Sequence, residues 1–244
     1  MKALVISDIH SNICALEAIW ERERDSDIIY CAGDLVDVGP FPKEVLAWVR
    51  EHNVVCVQGN HDRQIVACYR EHAQLDRMLP RAREWQHHNA QHLDEEDITF
   101  LEQLPRAVDF ELDGIHYGMT HMYKGYNMIV SRHAFAGFRA ETFTNTDPVT
   151  ITHLIFGHTH RQGIYHLGDA MTWLNPGSAS YRRQDDPDQT AHYLTITDGS
   201  IRLHRLAYDL QPLYKYVAHV TLQKSELDTA RWFFGPRGSG GVLR

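Results

Sequence analysis

No stretch of this 244-residue chain approaches the roughly 18 consecutive apolar residues that a membrane-crossing helix needs, so no membrane partner is expected. Nor is there a long run of Lys and Arg. With 24 basic against 32 acidic residues the formal net charge is −8, and the cations that strong nucleic-acid binding requires are missing. That balance does not exclude a phosphate substrate, because bound divalent cations would dominate the local field. Cysteine is sparse: four residues, at 14, 31, 56 and 68, with no Cys-x-x-Cys spacing. No disulfide framework is implied, which fits a reducing, cytoplasmic compartment. The first apolar run begins at Lys2 and leaves no room for a signal peptide. The chain shows no repeats and no interdomain linker, so one domain over residues 1–244 is expected.

What the chain has in excess is histidine, seventeen residues, and several stand at the ends of apolar runs. Between Met1 and Asp62 there are three such runs. Lys2–Ser7 leads into Asp8-Ile9-His10, Asp27–Ala32 into Gly33-Asp34, and Val54–Gln58 into Gly59-Asn60-His61-Asp62. Short apolar runs rich in β-branched residues read as buried parallel strands. In open α/β sheets the active site lies beyond the carboxyl ends of the strands. Three adjacent strand ends would thus bring carboxylates, imidazoles and a carboxamide to one place. Asp8 and His10 are two apart, so on extended backbone both side chains face the same way.

A fourth run, Thr152–Phe156, ends in Gly157-His158-Thr159-His160. With this piece the sequence resembles the calcineurin-like metallophosphoesterases. Their pattern is Asp-x-His, Gly-Asp, Gly-Asn-His-Asp/Glu, an isolated His, then Gly-His-x-His, and all of it is present in order between residues 8 and 160. The resemblance is nearest to the compact bacterial and archaeal phosphodiesterase-like members. It extends to Gly33-Asp34-Leu35-Val36 with Gly39-Pro40, and to Asn175-Pro176-Gly177-Ser178.

The resemblance implies a binuclear hydrolase of phosphoesters, either phosphodiesters or nucleotide-type phosphoanhydrides, acting by in-line attack of a metal-bridging hydroxide. The alternatives it carries are a nucleotide or protein phosphomonoesterase and a non-catalytic metal-binding scaffold. It implies one metal on Asp8, His10, Asp34 and His160, and a second on Asp34, Asn60, His121 and His158, with Asp34 bridging. Mixed nitrogen and oxygen donors suit Mn²⁺, Fe²⁺ or Zn²⁺ better than Mg²⁺ or Ca²⁺. Mn²⁺ is the family's first choice, with Ni²⁺ and Mg²⁺ as further options. His121 is followed by Met122 where the family has Gly, and His116 on the same run competes with it. His61 is implied as the acid that protonates the leaving group, oriented by Asp62. Asp37 would support the ligands from behind. Arg63, Arg161, His87, His88 and Tyr123 are candidate substrate contacts, and Asn175–Ser178 would shape the pocket floor. Where protein-phosphatase relatives carry an Arg in the Gly-Asp loop, this chain has Val38. The expected partner is a small phosphoester or nucleotide, with homo-oligomerisation left open.

The remaining residues complete a fold. Ser11-Asn12 can cap a helix with Ile13, Leu16, Ile19 and Trp20 on its inner face, and Phe41-Pro42-Lys43 opens another. Residues 63–104 read as a helical excursion beside the site, a partial lid or plain covering, with a break near Leu79-Pro80. Asp113-Gly114, Gly168-Asp169 and Asp198-Gly199 each separate two apolar runs and mark hairpins. Antiparallel strands thus join a parallel half. The class expected is α/β, with two packed mixed β-sheets flanked by helices, the four-layer α/β/β/α sandwich of the resemblance. Residues 212–234 can hold one or two amphipathic helices, and a mobile tail is expected over 235–244.

Overall fold

The computed structural model describes residues 1–71, 79, 84–123, 128–147, 149–168, 171–180 and 189–234. The expected break at Pro80 and the tail over 235–244 lie outside them. In chain order the elements are β1 (Lys2–Ile6), α1 (Ile13–Arg22), β2 (Ile28–Cys31), α2 (Pro42–Glu51), β3 (Val55–Cys56), α3 (Asn60–Arg70), α4 (Trp85–His92) and α5 (Glu95–Gln103). There follow β4 (Ala107–Leu112), β5 (Ile115–Thr120), α6 (Arg132–Thr142), β6 (His153–Phe156), β7 (Gly163–His166) and β8 (Thr172–Asn175). The chain closes with β9 (Ala191–Thr197), β10 (Ser200–Leu206), α7 (Gln211–His219) and α8 (Lys224–Phe234).

The strands form two five-stranded sheets, ordered β10-β9-β1-β2-β3 and β4-β5-β6-β8-β7. In the first sheet β1, β2 and β3 run parallel out to the β3 edge and β9 and β10 add antiparallel pairings on the other side; in the second, the parallel β5, β6 and β8 are flanked by antiparallel β4 and β7. Alternation along β1 decides the layering, because successive side chains leave a strand on opposite faces. Ala3 and Val5 pack with Tyr30, Val57, Met119, Ile155 and Leu174, which come from both sheets. Leu4 and Ile6 pack with Leu16 and Ile19 of α1 and Val45 and Leu46 of α2. On the far side of the second sheet, Leu154, Phe156 and Trp173 pack with Phe135 and Phe138 of α6. The result is the helix, sheet, sheet, helix order expected.

Two of the expected hairpins carry the backbone their residues promise. Asp113 and Gly114 have φ of 51° and 78°, and Asp198 and Gly199 have 48° and 74°. Positive φ at both central residues matches the right-handed twist of the flanking strands. The third strand is shorter than its apolar run. The Val54 amide turns back to Val49 (3.1 Å) and the Gln58 amide goes to the Pro105 carbonyl (2.8 Å), so only Val55 and Cys56 stay in the ladder.

The C-terminal helices are not peripheral. Leu213, Val217, Ala230, Phe233 and Phe234 form a buried cluster with Val38 and Trp85. Trp85 Nε1 donates to the Glu226 carbonyl at 2.7 Å, and His88 Nε2 meets the Tyr216 hydroxyl at 2.9 Å.

Two half-buried imidazoles make the fold acid-sensitive. Burial, and then the neighbouring His92, lowers the His88 pKa to about 4; burial, and then His166, lowers that of His153 to about 4. The unfolded chain holds these groups near 6.5. Between pH 6.5 and 4 the unfolded state therefore takes up protons that the folded state does not, and stability falls as pH falls. Thermal unfolding followed by circular dichroism should show a decreasing midpoint across that window. His88→Gln should flatten part of the slope, and an unchanged slope would remove His88 from the account.

Candidate metal centre

The site lies where the loops after β1, β2, β3, β5 and β6 meet. Beyond the end of the first sheet the loops after β1 and β2 stay zipped. The amides of Asp8, Ile9, His10 and Ser11 donate to the carbonyls of Gly33, Asp34, Asp34 and Leu35 at 2.8–3.1 Å. The side chains are turned inward by an uncommon backbone. Asp8, His10, Asp34, His158 and His160 have φ of 52°, 49°, 55°, 68° and 56°. Non-glycine residues rarely adopt this region, and functional sites are where it collects. Gly59 is a glycine because of crowding. A Cβ there would stand 2.0 Å from Asp34 Oδ1.

Two groups of donor atoms result. Asp8, His10, Asp34 and His160 each offer one atom within 4.8 Å of the others, and so do Asp34, His121 and His158. Asp34 belongs to both. In the first group His160 Nε2 is 3.0 Å from Asp8 Oδ1 and 3.3 Å from His10 Nε2. In the second, Asn60 Oδ1 is 2.9 Å from both His121 Nε2 and His158 Nδ1. Asn60 thus places its amide oxygen beside the second group. His116, the competitor of His121, turns away and bonds Thr150 (2.9 Å) and Asp109 (3.0 Å).

The donor set fits divalent cations. His121 Nδ1 meets the Ala32 carbonyl at 2.7 Å. A carbonyl only accepts, so Nδ1 carries the hydrogen and Nε2 presents its lone pair to Asp34 Oδ2, 3.1 Å away. Asp34 Oδ2 is buried and makes no hydrogen bond. A bare lone pair facing a buried carboxylate oxygen is unfavourable unless a positive charge lies between them. Without a metal, that charge must come from protons. Burial opposes charge on His121, yet attraction to Asp34 raises its pKa to about 9. Burial likewise opposes charge on Asp34, yet His121 and its neighbours hold it well below the usual carboxylate range. His10 Nδ1 is a second buried polar atom with no hydrogen bond. Burial, with His61 and His160 nearby, lowers the His10 pKa to about 3, so His10 stays a neutral donor.

His61 stands beside this set, not in it. Its ring lies 5.0 Å from that of His10, edge to face, and its Nδ1 is 2.6 Å from Asp37 Oδ2. Desolvation works against its charge, but Asp37, and the charge of Asp34 behind it, raise its pKa to about 9. The carboxylate that holds His61 is Asp37, which corrects the expectation that Asp62 orients it. Asp62 is buried and accepts the amides of Gly59 (2.8 Å), Asp34 (3.0 Å), Leu35 (2.9 Å) and Val36 (3.3 Å). It ties the start of α3 to the Gly-Asp loop. The amide of His61, at that same helix start, donates to Asp34 Oδ1 at 2.9 Å.

Other expected residues have structural partners. Arg63 and Arg161 are exposed. His87 Nδ1 accepts the Glu84 amide (3.0 Å) and helps cap α4. Asn175 donates to the Gly157 carbonyl (2.8 Å), and Ser178 Oγ donates to the Asp8 carbonyl (2.8 Å). The Asn-Pro-Gly-Ser stretch therefore braces two ligand loops. Sequence reading missed Asn89 and Phe233. Asn89, fully buried on α4, accepts from Ser11 Oγ (2.6 Å) and the Asp37 amide (3.0 Å) and donates to the Gly39 carbonyl (2.9 Å). Its signal was an uncharged amide in a polar helix. Phe233 lays its ring edge to face with His10 at 5.3 Å; no local pattern announced it.

Residues 1–199 match the calcineurin-like phosphoesterase superfamily domain. An uncharacterized protein of Methanocaldococcus jannaschii is 25% identical over 229 residues, 87% of this chain and 90% of that one. A symmetrical bis(5′-nucleosyl)-tetraphosphatase of Buchnera aphidicola is 36% identical over 74 residues, 28% of this chain and 27% of that one. Among solved structures, a metallophosphoesterase of Sphaerobacter thermophilus superposes with a TM-score of 0.69 at 23% identity, covering 95% of this chain and 99% of that one. A hypothetical protein of Pyrococcus horikoshii gives 0.74 at 13%, covering 97% and 99%.

Asp34 is the shared member of both donor groups, so one substitution tests both. Asp34→Asn should lose both bound cations in metal analysis by mass spectrometry. It should also abolish the rise in unfolding temperature that saturating Mn²⁺ gives the parent chain, an effect of about 2.7 kcal/mol at a hundredfold excess over Kd. Retention of two ions per chain in Asp34→Asn would disprove the bridging role.

Proposed function

The chain belongs to the calcineurin-like phosphoesterase superfamily, and from that premise we propose that it is a two-metal hydrolase of phosphodiesters or nucleotide-type phosphoanhydrides. The observation that carries the reading is the His61–Asp37 pair at 2.6 Å, poised beside two donor groups that share Asp34. A scaffold that only binds metal has no use for an imidazole held charged at the edge of its ligands.

Asp8, His10, Asp34 and His160 would hold one cation, and Asp34, Asn60, His121 and His158 the other. When bound, such a pair clamps phosphoryl oxygens and lowers the pKa of a water shared between them. Mn²⁺ is proposed first, on the mixture of imidazole, carboxylate and amide oxygen donors. The chain itself supplies the proton. His61 is tethered through Nδ1, which leaves Nε2–H to be delivered to the departing oxygen as its bond to phosphorus breaks. Asp37 stabilises the charged imidazole before transfer and fixes its direction. Asn89 fixes the Asp37 backbone in turn.

If His61 acts as an acid and not as a ligand, His61→Ala should keep both metals and lose about 10²–10⁴-fold in turnover. Metal content measured alongside the kinetics decides between the roles: loss of metal makes His61 a ligand, and an unchanged rate makes it structural.

The preference for diesters rests on Val38. Its side chain is 6% exposed and packs into the C-terminal helical cluster. The Gly-Asp loop therefore offers no guanidinium, and Arg63 and Arg161 are exposed. A monoester dianion gains most from a bidentate guanidinium, and a singly charged diester depends on it least. The kcat/KM for bis(p-nitrophenyl) phosphate should exceed that for p-nitrophenyl phosphate with Mn²⁺ supplied. Faster cleavage of the monoester would overturn the argument. Placing Arg at position 38 is not a clean test, because the new side chain would enter the apolar cluster.

A further inference from the structure

The candidate donor imidazoles of the two groups are held in different ways. A histidine that binds a metal through one ring nitrogen usually donates from the other to a carboxylate, a carbonyl or water, and this fixes its direction. His121 follows that rule, with Nδ1 against the Ala32 carbonyl at 2.7 Å. His10 does not. Its Nε2 lies among the donors, 3.3 Å from His160 Nε2, while Nδ1 is buried and makes no hydrogen bond. The His10 amide is tied to the Asp34 carbonyl at 3.1 Å, but a backbone bond leaves χ1 and the broad χ2 torsion to be fixed by packing.

What packs on the ring is other rings. His61, His160 and Phe233 stand 5.0, 5.1 and 5.3 Å away, at interplanar angles of 83°, 61° and 81°. Edge-to-face contacts at such separations are attractive beyond the area they bury. His160 is itself a candidate donor and His61 the proposed acid. Phe233 has no polar side-chain atom and no part in the chemistry, so its contact with His10 has only packing to serve.

The helix that carries Phe233 is anchored without it. α8 buries Glu226, Ala230, Phe233 and Phe234, at the i, i+4, i+7, i+8 spacing of one helix face. Trp85 Nε1 holds its first turn through the Glu226 carbonyl at 2.7 Å, and Ala230 and Phe234 share a cluster with Leu213 and Val217 of α7. Phe234 belongs to the same cluster as Phe233 but is not among the rings that meet His10.

We infer that Phe233 is a positioning residue for the first cation: packed edge to face on His10, it supplies the restraint that the Ala32 carbonyl supplies for His121. It thereby makes the C-terminal helices part of the Asp8, His10, Asp34 and His160 group. The inference rests on the two-metal reading for the cation itself.

The effect belongs in metal affinity, at one site of two. In calorimetric titration of the metal-free full chain, Mn²⁺ should bind in two steps, and His10→Ala should abolish one of them. Phe233→Leu should weaken that same step by about tenfold or more, the usual effect of losing an outer partner of a ligating histidine, and leave the other unchanged. In the His10→Ala background Phe233→Leu should do nothing to the remaining step, because the two residues act through one ring. Phe234→Leu is the control for packing: it disturbs the same cluster and should leave both steps intact. Equal affinities in Phe233→Leu and the parent refute the inference while the two-metal reading stands. An equal weakening by Phe234→Leu also overturns it, since that marks a general loosening of the cluster. A parent chain that binds no Mn²⁺ disproves both, whereas one that shows the Phe233 effect but cleaves no phosphoester keeps the inference and loses the hydrolase. Should Phe233→Leu not fold, the parent decides by reciprocity, since a coupling that favours the cation favours the docked helix equally. Hydrogen exchange in α8, read by mass spectrometry, should then slow when Mn²⁺ is added to the parent and stay unchanged in His10→Ala. Exchange in α8 of the parent that ignores Mn²⁺ removes Phe233 from the metal centre.

Discussion

Asp34 is fully buried, and so is Asp8. Removing an ionised carboxylate from water costs several kcal/mol even after the protein relaxes, so each must be met by positive charge or by hydrogen bonds. The whole centre can be read as the response to that demand. Four imidazoles converge on the two carboxylates, and one amide from the start of α3 points at Asp34. The arrangement still leaves Asp34 Oδ2 without a hydrogen bond. A protein that needed only to neutralise two carboxylates would close that gap. Leaving the atom bare makes sense where a cation is meant to complete the set.

The demand propagates into the backbone. Bringing donors from five loops into one small volume goes with φ near +50° to +70° at five of the seven candidate donors, and at Ser11 and Val38 besides. Each such residue costs on the order of 1–3 kcal/mol, and loops alone would not hold it. They are held by polar side chains that no longer face solvent. Asp62 accepts four amides, Asn89 makes three bonds between the first two ligand loops and Asp37, and Asn175 with Ser178 anchors the loops after β6 and β1. Removing any one of these would leave buried donors or acceptors unsatisfied, each at about 1–3 kcal/mol. The supporting residues are therefore as specific to the site as the ligands.

This division explains what the sequence could reveal. The convergence of candidate donors at strand ends was legible because a buried strand is a local apolar run, and the next few residues must lie at its carboxyl end. The sandwich was legible because Asp113-Gly114, Gly168-Asp169 and Asp198-Gly199 mark hairpins that add antiparallel strands to a parallel half. Roles that depend on approach across the fold were not. Asp62 is next to His61 in sequence, yet the carboxylate that reaches His61 Nδ1 is Asp37, from a different loop. Adjacent residues at the start of a helix point in different directions, so adjacency said nothing about contact. Nothing in the sequence set Asn89 apart from the other polar residues of α4, because only the folded chain shows what lies above that helix.

The segment over residues 63–104 and the helices after residue 199 carry the same lesson further. α4 does not hover over the centre as a lid would; it drives Asn89 under the Gly-Asp loop and gives Trp85 and His88 to α7 and α8. Those helices lie beyond the residues that match the family domain, yet Phe233 touches the candidate donor His10 and Phe234 shares a cluster with Val38. A buried Val at position 38 and the aromatic wall around it are two sides of one fact. A charged side chain there would have to be desolvated among Trp85, Leu213 and Phe234 without a partner, which is far costlier than losing a phosphate contact. The apolar packing of the C-terminal helices is thus what keeps a guanidinium out of the Gly-Asp loop. The Gly-Asp loop is packed in part by residues more than 170 positions downstream of it.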